Sequence, residues 1–294
     1  MNLTVRVPAT VANLGPGFDC FGLALCLSNE VTVQTDTEPS VTIEGEGASE
    51  LPRDGSNLVV RAMERVFAEW GHHLPPTALT CTNAIPLERG LGSSAAAIVA
   101  GLLLADRLVG TPLPPDRILE LAVELEGHAD NVAAALRGGV AIAYSSADGW
   151  RAERMDPAAD LRPVVLLPHE ERVGTEEARN VLEPRVDRAD ATFNTGRAAL
   201  LVLALTSRPD LLRVALQDRL HQRARLDLAP GASALFTELE AAGVPVCVAG
   251  SGPTLLAFDT EEAPVPEPGP AWRAIKPGID REGATVLAGG LIGR

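Results

Sequence analysis

The chain has 294 residues, with 25 basic and 39 acidic side chains and a formal net charge of −14. A chain this acidic lacks the basic stripe that nucleic-acid backbones and anionic membranes require, so we expect neither as a partner. The one lysine, Lys276, lies near the C-terminus, which excludes a Walker A loop and a protein-kinase site. Phosphate chemistry in this chain therefore has to rely on arginine, helix ends and a metal ion.

Apolar residues make up 46% and charged residues 22% of the chain, which is typical of a globular protein with one large domain or two ordinary ones. The apolar stretch at residues 91–105 is shorter than the roughly 18 to 20 residues that a membrane span needs. The N-terminus carries no apolar signal core. Four cysteines without metal-ligand spacing indicate small buried thiols in a reduced compartment, so we expect a cytoplasmic protein.

The first half of the chain intersperses short strand patterns with helical patterns. Alternating apolar and polar residues predict half-exposed strands, and apolar residues three and four apart predict helices. We expect strands at residues 4–7, 31–35, 41–44, 79–83 and 140–144. We expect helices at residues 57–70, 95–109, 116–126 and 131–136.

The second half is richer in helical patterns. We expect strands at residues 163–167, 246–249 and 255–258, and helices at residues 175–182, 191–205, 209–220 and 233–242. Turn formers and charges cluster between residues 148 and 163, so we place a boundary there and divide the chain into domains 1–155 and 156–294. Strands and helices mixed without strict alternation favour an α+β fold in both parts.

The segment Gly90-Leu-Gly-Ser-Ser precedes the helix predicted at residues 95–109. Glycines free backbone N–H groups, and a helix N-terminus adds partial positive charge, so the segment can bind phosphate. Ser93 and Ser94 can cap the helix or donate to phosphate, and Ser94 can ligate a metal ion. An ordinary loop before a capped helix explains these residues equally well.

A second segment, residues 8–19, places Asn13 and Asp19 on either side of a bend made by Gly-Pro-Gly. Such a pair can grip the ammonium or hydroxyl group of a small ligand. A turn capped by asparagine and aspartate is the more common explanation of the same residues.

Two more segments carry weaker signals. In Glu126-Gly-His-Ala-Asp-Asn, a carboxylate for Mg²⁺ and an acceptor for a substrate lie within six residues. A helix C-cap at Gly127 and an N-cap at Asp130 explain that segment too. Gly250-Ser-Gly-Pro lies between two predicted strands, where small residues permit close approach to a ligand or form a plain tight turn.

Taken in order, these four segments resemble the GHMP family of small-molecule kinases, and within it the homoserine-kinase branch. The first segment discriminates, because mevalonate-type kinases open with proline-glycine-lysine and galactokinases with a glycine-arginine motif, whereas residues 8–25 resemble the homoserine-kinase version. Residues 85–97, 126–139 and 250–253 resemble the phosphate loop, the Glu-Gly-His-Pro-Asp-Asn segment and the third motif. Residues 175–179, 193–194 and 218–231 resemble C-terminal stretches of the same family, so the likeness covers nearly the whole chain.

The resemblance implies a two-domain GHMP kinase fold with an N-terminal ribosomal-S5-like domain, a C-terminal ferredoxin-like domain and an active site between them. It implies ATP-dependent phosphorylation of the side-chain hydroxyl of L-homoserine to O-phospho-L-homoserine, in threonine biosynthesis, with Mg²⁺ as cofactor and a homodimer as the assembly. The alternatives are another GHMP small-molecule kinase and a non-catalytic ligand-binding member of the fold.

The resemblance also assigns residues to roles. The nucleotide set is Asn57, Pro86, Leu87, Glu88, Arg89, Gly90, Leu91, Gly92, Ser93, Ser94, Ala95 and Ala96. The metal set is Ser94 and Glu126. The substrate set is Asn13, Asp19, His128, Asp130, Asn131, Thr175, Arg179 and Arg225. The catalytic set is Glu126, Asp130 and Asn131.

These roles suit a zwitterionic amino acid. Asp19 or Asp130 can take its ammonium group, while Arg179 and Arg225 take its carboxylate in a planar fork. Arg225 aligns with the family arginine, and Arg223 is its near neighbour in the segment that departs from the usual Pro-Tyr-Arg. The lysine that assists an aspartate base in mevalonate-type relatives is missing, so we assign Asp130 mainly to orienting the substrate.

Overall fold

A computed structural model describes residues 2–287 and confirms the α+β class. The strands are β1 (Asn2–Ala12), β2 (Phe21–Thr35), β3 (Ser40–Gly45), β4 (Thr77–Asn83), β5 (Val140–Ser146), β6 (Gly149–Met155), β7 (Pro163–Pro168), β8 (Val246–Val248), β9 (Leu255–Phe258), β10 (Trp272–Ile275) and β11 (Thr285–Leu287). The helices are α1 (Leu58–Glu69), α2 (Ser93–Val109), α3 (Pro115–Glu126), α4 (Asp130–Arg137), α5 (Thr175–Asn180), α6 (Arg188–Thr206), α7 (Leu212–Ala215), α8 (Gln222–Leu226) and α9 (Pro230–Ala241).

The first sheet has the strand order β11-β1-β2-β4-β3, and β5 pairs with the start of β2 and with β6. All of its pairs are antiparallel except β3 with β4. Helices α1 and α2 pack against each other, and α2 and α4 both lie on β1 and β2. Because α2 begins and α3 ends at one edge of this layer, the residues at those two helix ends face the same cavity.

The second sheet is antiparallel with the order β10-β7-β9-β8. Its strands alternate between two apolar cores, as the two-residue period of a strand requires. Val165 and Leu167 of β7 pack into the main core with the first sheet and α6. Val164 and Leu166 pack into a smaller core with α9. The main core therefore runs continuously from the first sheet to the second.

Several elements differ from the sequence prediction. The strand predicted at residues 31–35 is the end of the 15-residue β2, whose first five residues are all buried and so lack an alternating pattern. Strand β6 lies within the stretch assigned to a boundary. The short strands β10 and β11 and helix α8 went unpredicted.

The long helix predicted at residues 209–220 is wrong. The chain forms a 3₁₀ turn at Pro209–Leu211, the four-residue α7, and then a turn. The Asp218 carboxylate accepts hydrogen bonds from the backbone N–H groups of Leu220, His221 and Gln222. Because these N–H groups bond to a side chain and not to carbonyls one turn earlier, the chain does not continue as one helix through residue 220.

The division into domains 1–155 and 156–294 remains a prediction. It falls between β6 of the first sheet and β7 of the second. The chain returns to the first sheet at its C-terminal end, because β11 pairs with β1. The two sheets are thus built from segments that are not simply successive along the chain.

The sequence predicts that all four cysteines are buried, and this is wrong for two of them. Cys81 and Cys247 are buried, whereas Cys20 and Cys26 are exposed. Cys26 is exposed because the β1–β2 register shifts between Pro8 and Ala9, so that Cys26 lies in a bulge. Within residues 2–287, none of the helices has the length and apolar character needed to cross a membrane.

Candidate active site

A cavity of about 450 Å³ opens at the junction of the two sheets, beside the N-terminus of α2. All but two of the residues assigned to the site line it. They are Asn13, Asp19, Asn57, Pro86, Leu87, Glu88, Arg89, Gly90, Leu91, Gly92, Ser93, Ser94, Glu126, His128, Asp130, Asn131, Thr175, Arg179 and Arg225. The other two, Ala95 and Ala96, are fully buried in the main core.

The glycine-rich loop is held in a left-handed conformation that side chains disfavour. Gly90 and Gly92 have φ angles of 69° and 71°. A Cβ at Gly90 would collide with the carbonyl oxygen of Ala249, and one at Gly92 would collide with the hydroxyl of Thr10. The Leu91 carbonyl also accepts a hydrogen bond from the Thr10 N–H at 3.1 Å. The loop is therefore packed between β1 and the loop after β8.

Helix α2 begins at this loop without a side-chain cap. Gly92 is the capping residue, and neither Ser93 nor Ser94 provides the cap considered from the sequence. The N–H groups of the first helical turn have no partner within the helix, and the helix dipole places partial positive charge on them. An anion such as a phosphate group is the ligand that this end of α2 suits.

Ser94 and Glu126 form a pair of oxygen donors at the edge of the loop. The Ser94 hydroxyl donates to Glu126 Oε1 at 2.7 Å. Burial raises the pKa of Glu126, and the bond from Ser94 acts in the opposite direction. A hydroxyl and a carboxylate fit Mg²⁺, which takes few protein ligands and completes its shell with phosphate oxygens and water. Within residues 2–287, no group of three or more His, Cys, Asp and Glu side chains is clustered to hold a metal ion unaided.

The first segment forms both the predicted turn and a wall of the cavity. Asn13 Nδ2 donates to the Gly250 carbonyl at 2.9 Å, and Asn13 Oδ1 accepts from the Asp19 N–H at 3.0 Å. Asn13, Leu14 and Asp19 all have positive φ angles. Backbone strain of this kind, in residues other than glycine, concentrates at ligand sites, where the surrounding structure holds it in place.

Two arginines of the second half reach the same wall. Arg179 forms a two-pronged ion pair with Asp19, with N–O distances of 2.7 and 3.2 Å. Arg225 is buried and forms no ion pair in the part of the chain that the structure describes. Burial lowers the pKa of Arg225 to about 10, and Arg179 acts in the same direction. The Nε atoms of Arg179 and Arg225 are buried and have no hydrogen-bond partner among the described residues.

A buried guanidinium without a counter-ion is costly, so this corner of the cavity is suited to an anionic group of a ligand. Arg223, the near neighbour of Arg225, has 83% of its side chain exposed and pairs with Asp227. The structure therefore brings Arg225 to the cavity and leaves Arg223 outside it.

Asp130, Asn131 and His128 come from the turn between α3 and α4. Gly127 is the predicted C-cap of α3, with a φ of 85°, but Asp130 is the first residue of α4 and not its N-cap. Asp130 is 2% exposed, and burial raises its pKa to about 7, opposed mainly by a bond from the Asn131 N–H. Burial also lowers the pKa of His128.

Asn57 has a structural role that the sequence assignment did not include. It is the N-cap of α1, where its Oδ1 accepts from the Val59 N–H at 2.9 Å and its Nδ2 donates to the Pro52 carbonyl. Thr175, at the start of α5, lines the cavity beside Gly174. Both residues lie on the cavity wall, and their assigned roles in binding remain predictions.

Sequence reasoning did not assign Thr10 or His221 to the site, and it named Gly250 only as part of a small-residue segment. Thr10 donates through its hydroxyl to Asn131 Oδ1 at 2.8 Å and so links β1, α4 and the glycine loop. The Gly250 carbonyl accepts from both Asn13 and Arg225. His221 Nδ1 lies 3.2 Å from Arg225 Nη1, and His221 itself does not line the cavity. Thr10 lies within the first segment, where a polar residue in a strand that is otherwise buried is a signal. The Gly250 carbonyl and His221 reach the site through contacts with Asn13 and Gly15, which lie more than two hundred residues away in sequence.

Comparisons with known proteins identify the family. The family model for the GHMP kinases N terminal domain matches residues 57–139. A homoserine kinase of Streptomyces coelicolor is 45% identical over 96% of this chain and 94% of its own length. A homoserine kinase of Rhodococcus erythropolis is 43% identical over 90% of this chain and 88% of its own length.

Solved structures of GHMP kinases and related enzymes have the same fold as this chain. The crystal structure of homoserine kinase from Cytophaga hutchinsonii superposes with a TM-score of 0.83 and 28% identity, covering 97% of both chains. Mevalonate diphosphate decarboxylase from Staphylococcus aureus superposes with a TM-score of 0.66 at 14% identity, covering 97% of this chain and 98% of its own, which supports the fold alone. The predicted GHMP kinase fold is confirmed, and this chain belongs to the homoserine kinase family of the GHMP kinases.

Proposed function

We propose that the protein transfers the γ-phosphoryl group of ATP to the side-chain hydroxyl of L-homoserine, giving ADP and O-phospho-L-homoserine for threonine biosynthesis. The observation that carries this proposal is the charge pattern of the cavity wall. A carboxylate, Asp19, and two guanidinium groups, Arg179 and Arg225, lie beside a loop suited to phosphate.

The Asp19–Arg179 ion pair supports an amino-acid substrate in particular. A zwitterion can take over both partners, with its ammonium group on Asp19 and its carboxylate on Arg179 and on the unpaired Arg225. A ligand with only one of these charges would separate the pair and leave one partner unsatisfied. Leaving a charge unpaired in a site from which the ligand excludes water costs free energy, so the pair itself provides selectivity.

The nucleotide end of the proposal uses the glycine loop and α2. Phosphate oxygens would accept from the free N–H groups at the start of α2. Arg89, in the same loop, is 7% exposed; its Nη2 donates to the His169 carbonyl at 3.0 Å, while its buried Nη1 has no partner among the described residues. Arg89 can thus supply charge that a lysine supplies in other phosphate loops.

We include Mg²⁺ in the proposal, with Ser94 and Glu126 as its protein ligands. When bound, the ion neutralises charge on the phosphates during transfer. The carboxylate of Glu126 must be ionised to bind a cation, and its raised pKa means that this condition fails at a higher pH than for an exposed glutamate.

Transfer of the phosphoryl group requires positioning more than covalent help from the protein. The substrate hydroxyl oxygen forms a bond to the γ-phosphorus while the bond to the leaving ADP breaks. We assign Asp130 and Asn131 to orienting the substrate. The pKa of about 7 also lets the Asp130 carboxylate hold the hydroxyl proton near neutral pH.

The proposal extends to a homodimer, as the resemblance implied, and to the cytoplasm, as the unpaired cysteines indicated. Size-exclusion chromatography with light scattering measures the oligomeric state directly.

Substrate analogues test the zwitterion requirement. We expect L-homoserine to drive ADP release, and both 3-aminopropan-1-ol and 4-hydroxybutanoate to lower kcat/KM by about a hundredfold or more, because each leaves one partner of the ion pair unsatisfied. A coupled assay for ADP provides the measurement. Turnover of mevalonate or a sugar with no response to homoserine would contradict the proposed function.

The metal ligand is tested by Glu126→Gln, which keeps the side-chain size but removes the charge. We expect kcat to fall by at least about tenfold and the Mg²⁺ concentration for half-maximal rate to rise. Glu124→Gln is the matched control, since Glu124 lies on the same helix but pairs at the surface with Arg65 and Arg117. An unchanged Mg²⁺ dependence in Glu126→Gln would remove Glu126 from the metal site.

Asp130 gives a prediction for stability. Its pKa is raised on folding, so the folded protein binds a proton between about pH 4 and about pH 7 that the unfolded chain has released. The ionised Asp130 carboxylate destabilises the folded protein, and this effect is absent below about pH 4 and complete above about pH 7. We expect Asp130→Asn to increase the free energy of unfolding by about 2 to 4 kcal/mol above pH 7, with the gain vanishing towards pH 4. Urea unfolding at a series of pH values measures this, and a gain independent of pH would refute it.

A further inference from the structure

His221 lies behind the cavity wall, at the start of α8. It is 1% exposed and does not line the cavity. Its Nε2 lies 2.8 Å from the Gly15 carbonyl oxygen, and its Nδ1 lies 3.2 Å from Arg225 Nη1. Its ring stacks on Phe18, with centroids 5.0 Å apart and planes at 23°. One side chain therefore joins the loop of the first segment to the arginine of the second half.

These contacts determine the tautomer of the ring. A guanidinium group can only donate hydrogen bonds, so His221 Nδ1 must accept from Arg225. A carbonyl can only accept, so His221 Nε2 must carry the proton and donate to Gly15. The neutral ring with its proton on Nε2 satisfies both bonds at once, and a protonated ring would lose the bond to Arg225.

The surroundings keep the ring neutral. Burial lowers the pKa of His221 to about 4; the Arg225 charge acts in the same direction, and Asp218 opposes it. Asp218 is itself held by four donors, which are Asn194 Nδ2 and the N–H groups of Leu220, His221 and Gln222. These bonds anchor the backbone of His221, so the ring has a defined place from which to act on Arg225.

The Arg225 guanidinium is consequently fixed on one side only. Nη1 is used by His221 and by the Gly250 carbonyl, at 2.7 Å, and the group lies over the Phe18 ring at 5.3 Å from its centroid. Nε has no partner among the described residues. The remaining donors of the planar fork are thus left for an anion, in an orientation that the contacts at Nη1 determine.

We propose that His221 is a positioning residue for substrate recognition, which acts through Arg225 by accepting a hydrogen bond from Nη1 and so orienting the guanidinium towards the carboxylate of the amino-acid substrate. The inference rests on the proposed function, because it concerns how that substrate is bound.

Two variants of similar polarity separate the two bonds of His221. His221→Asn places an amide oxygen near the position of Nδ1 and keeps an acceptor for Arg225, whereas His221→Gln places an amide nitrogen near Nε2 and keeps a donor for Gly15. Both lose the stacking on Phe18. We expect the KM for homoserine to rise by about tenfold in His221→Gln and by less than about threefold in His221→Asn. The KM for ATP and kcat should stay within about threefold of the original values in both.

A remote variant controls for loss of stability. Asp106 is 7% exposed, accepts from the Leu113 N–H at 2.7 Å and does not line the cavity. Asp106→Ala should lower the unfolding midpoint without changing the KM for homoserine. A similar rise of that KM in Asp106→Ala would show that destabilisation alone explains the effect and would overturn the proposal.

A double-mutant cycle tests whether His221 acts through Arg225. In an Arg225→Ala background, we expect His221→Gln to change kcat/KM for homoserine by less than about twofold, because the group it positions is gone. Additive losses would overturn the proposal, as would equal effects of the asparagine and glutamine variants. Homoserine turnover by the unaltered protein is measured first: its absence would refute the proposed function and this inference with it, whereas normal turnover with additive variants would refute this inference alone.

Discussion

The carbonyl group of Gly250 is the contact on which the geometry of the site depends. It accepts from Asn13 Nδ2 of the first segment and from Arg225 Nη1 of α8, while the Gly250 N–H donates to the Ala12 carbonyl. The carbonyl of the preceding residue, Ala249, lies so close to Gly90 that a Cβ on Gly90 would have no space. One loop between β8 and β9 therefore holds the glycine loop, the first segment and Arg225 in fixed positions relative to one another.

This arrangement lowers the stability of the folded protein, and a bound ligand can offset that loss. Asp130 and Arg225 are both buried without an ion-pair partner among the described residues, and Asn13, Leu14 and Asp19 have strained backbone angles. Each feature opposes folding and is kept in place by the continuous core around it. Under the proposed function, the substrate supplies the missing partners, so that part of its binding energy is selective for a zwitterion.

The cavity wall uses arginine where lysine would be less suitable. Each arginine of the cavity wall reaches a fixed partner on the protein: Arg89 bonds to the His169 carbonyl, Arg179 to Asp19 and Arg225 to Gly250 and His221. A planar fork can hold such a partner and still present free donors to a ligand, which an ammonium group on a flexible stem does less well.

Some of this could be predicted from the sequence. The glycine loop, its helix and the Glu126 turn were predictable because consecutive residues make them, and the family resemblance brought the distant arginines into the same site. The fully buried start of β2 gave no alternating pattern. The turn between α7 and α8 depends on the Asp218 side chain, which accepts from backbone N–H groups that follow it. The contacts of His221 with Gly15, and of Gly250 with Asn13, span more than two hundred residues, which local patterns cannot report.

A crystal structure with L-homoserine, Mg²⁺ and a non-hydrolysable ATP analogue tests the central claim most directly. The account predicts the substrate carboxylate on Arg179 and Arg225, its ammonium group on Asp19, and its hydroxyl oxygen about 3 to 3.5 Å from the γ-phosphorus held at the start of α2. An amino acid bound away from both arginines, or phosphates bound away from residues 90–94, would contradict it.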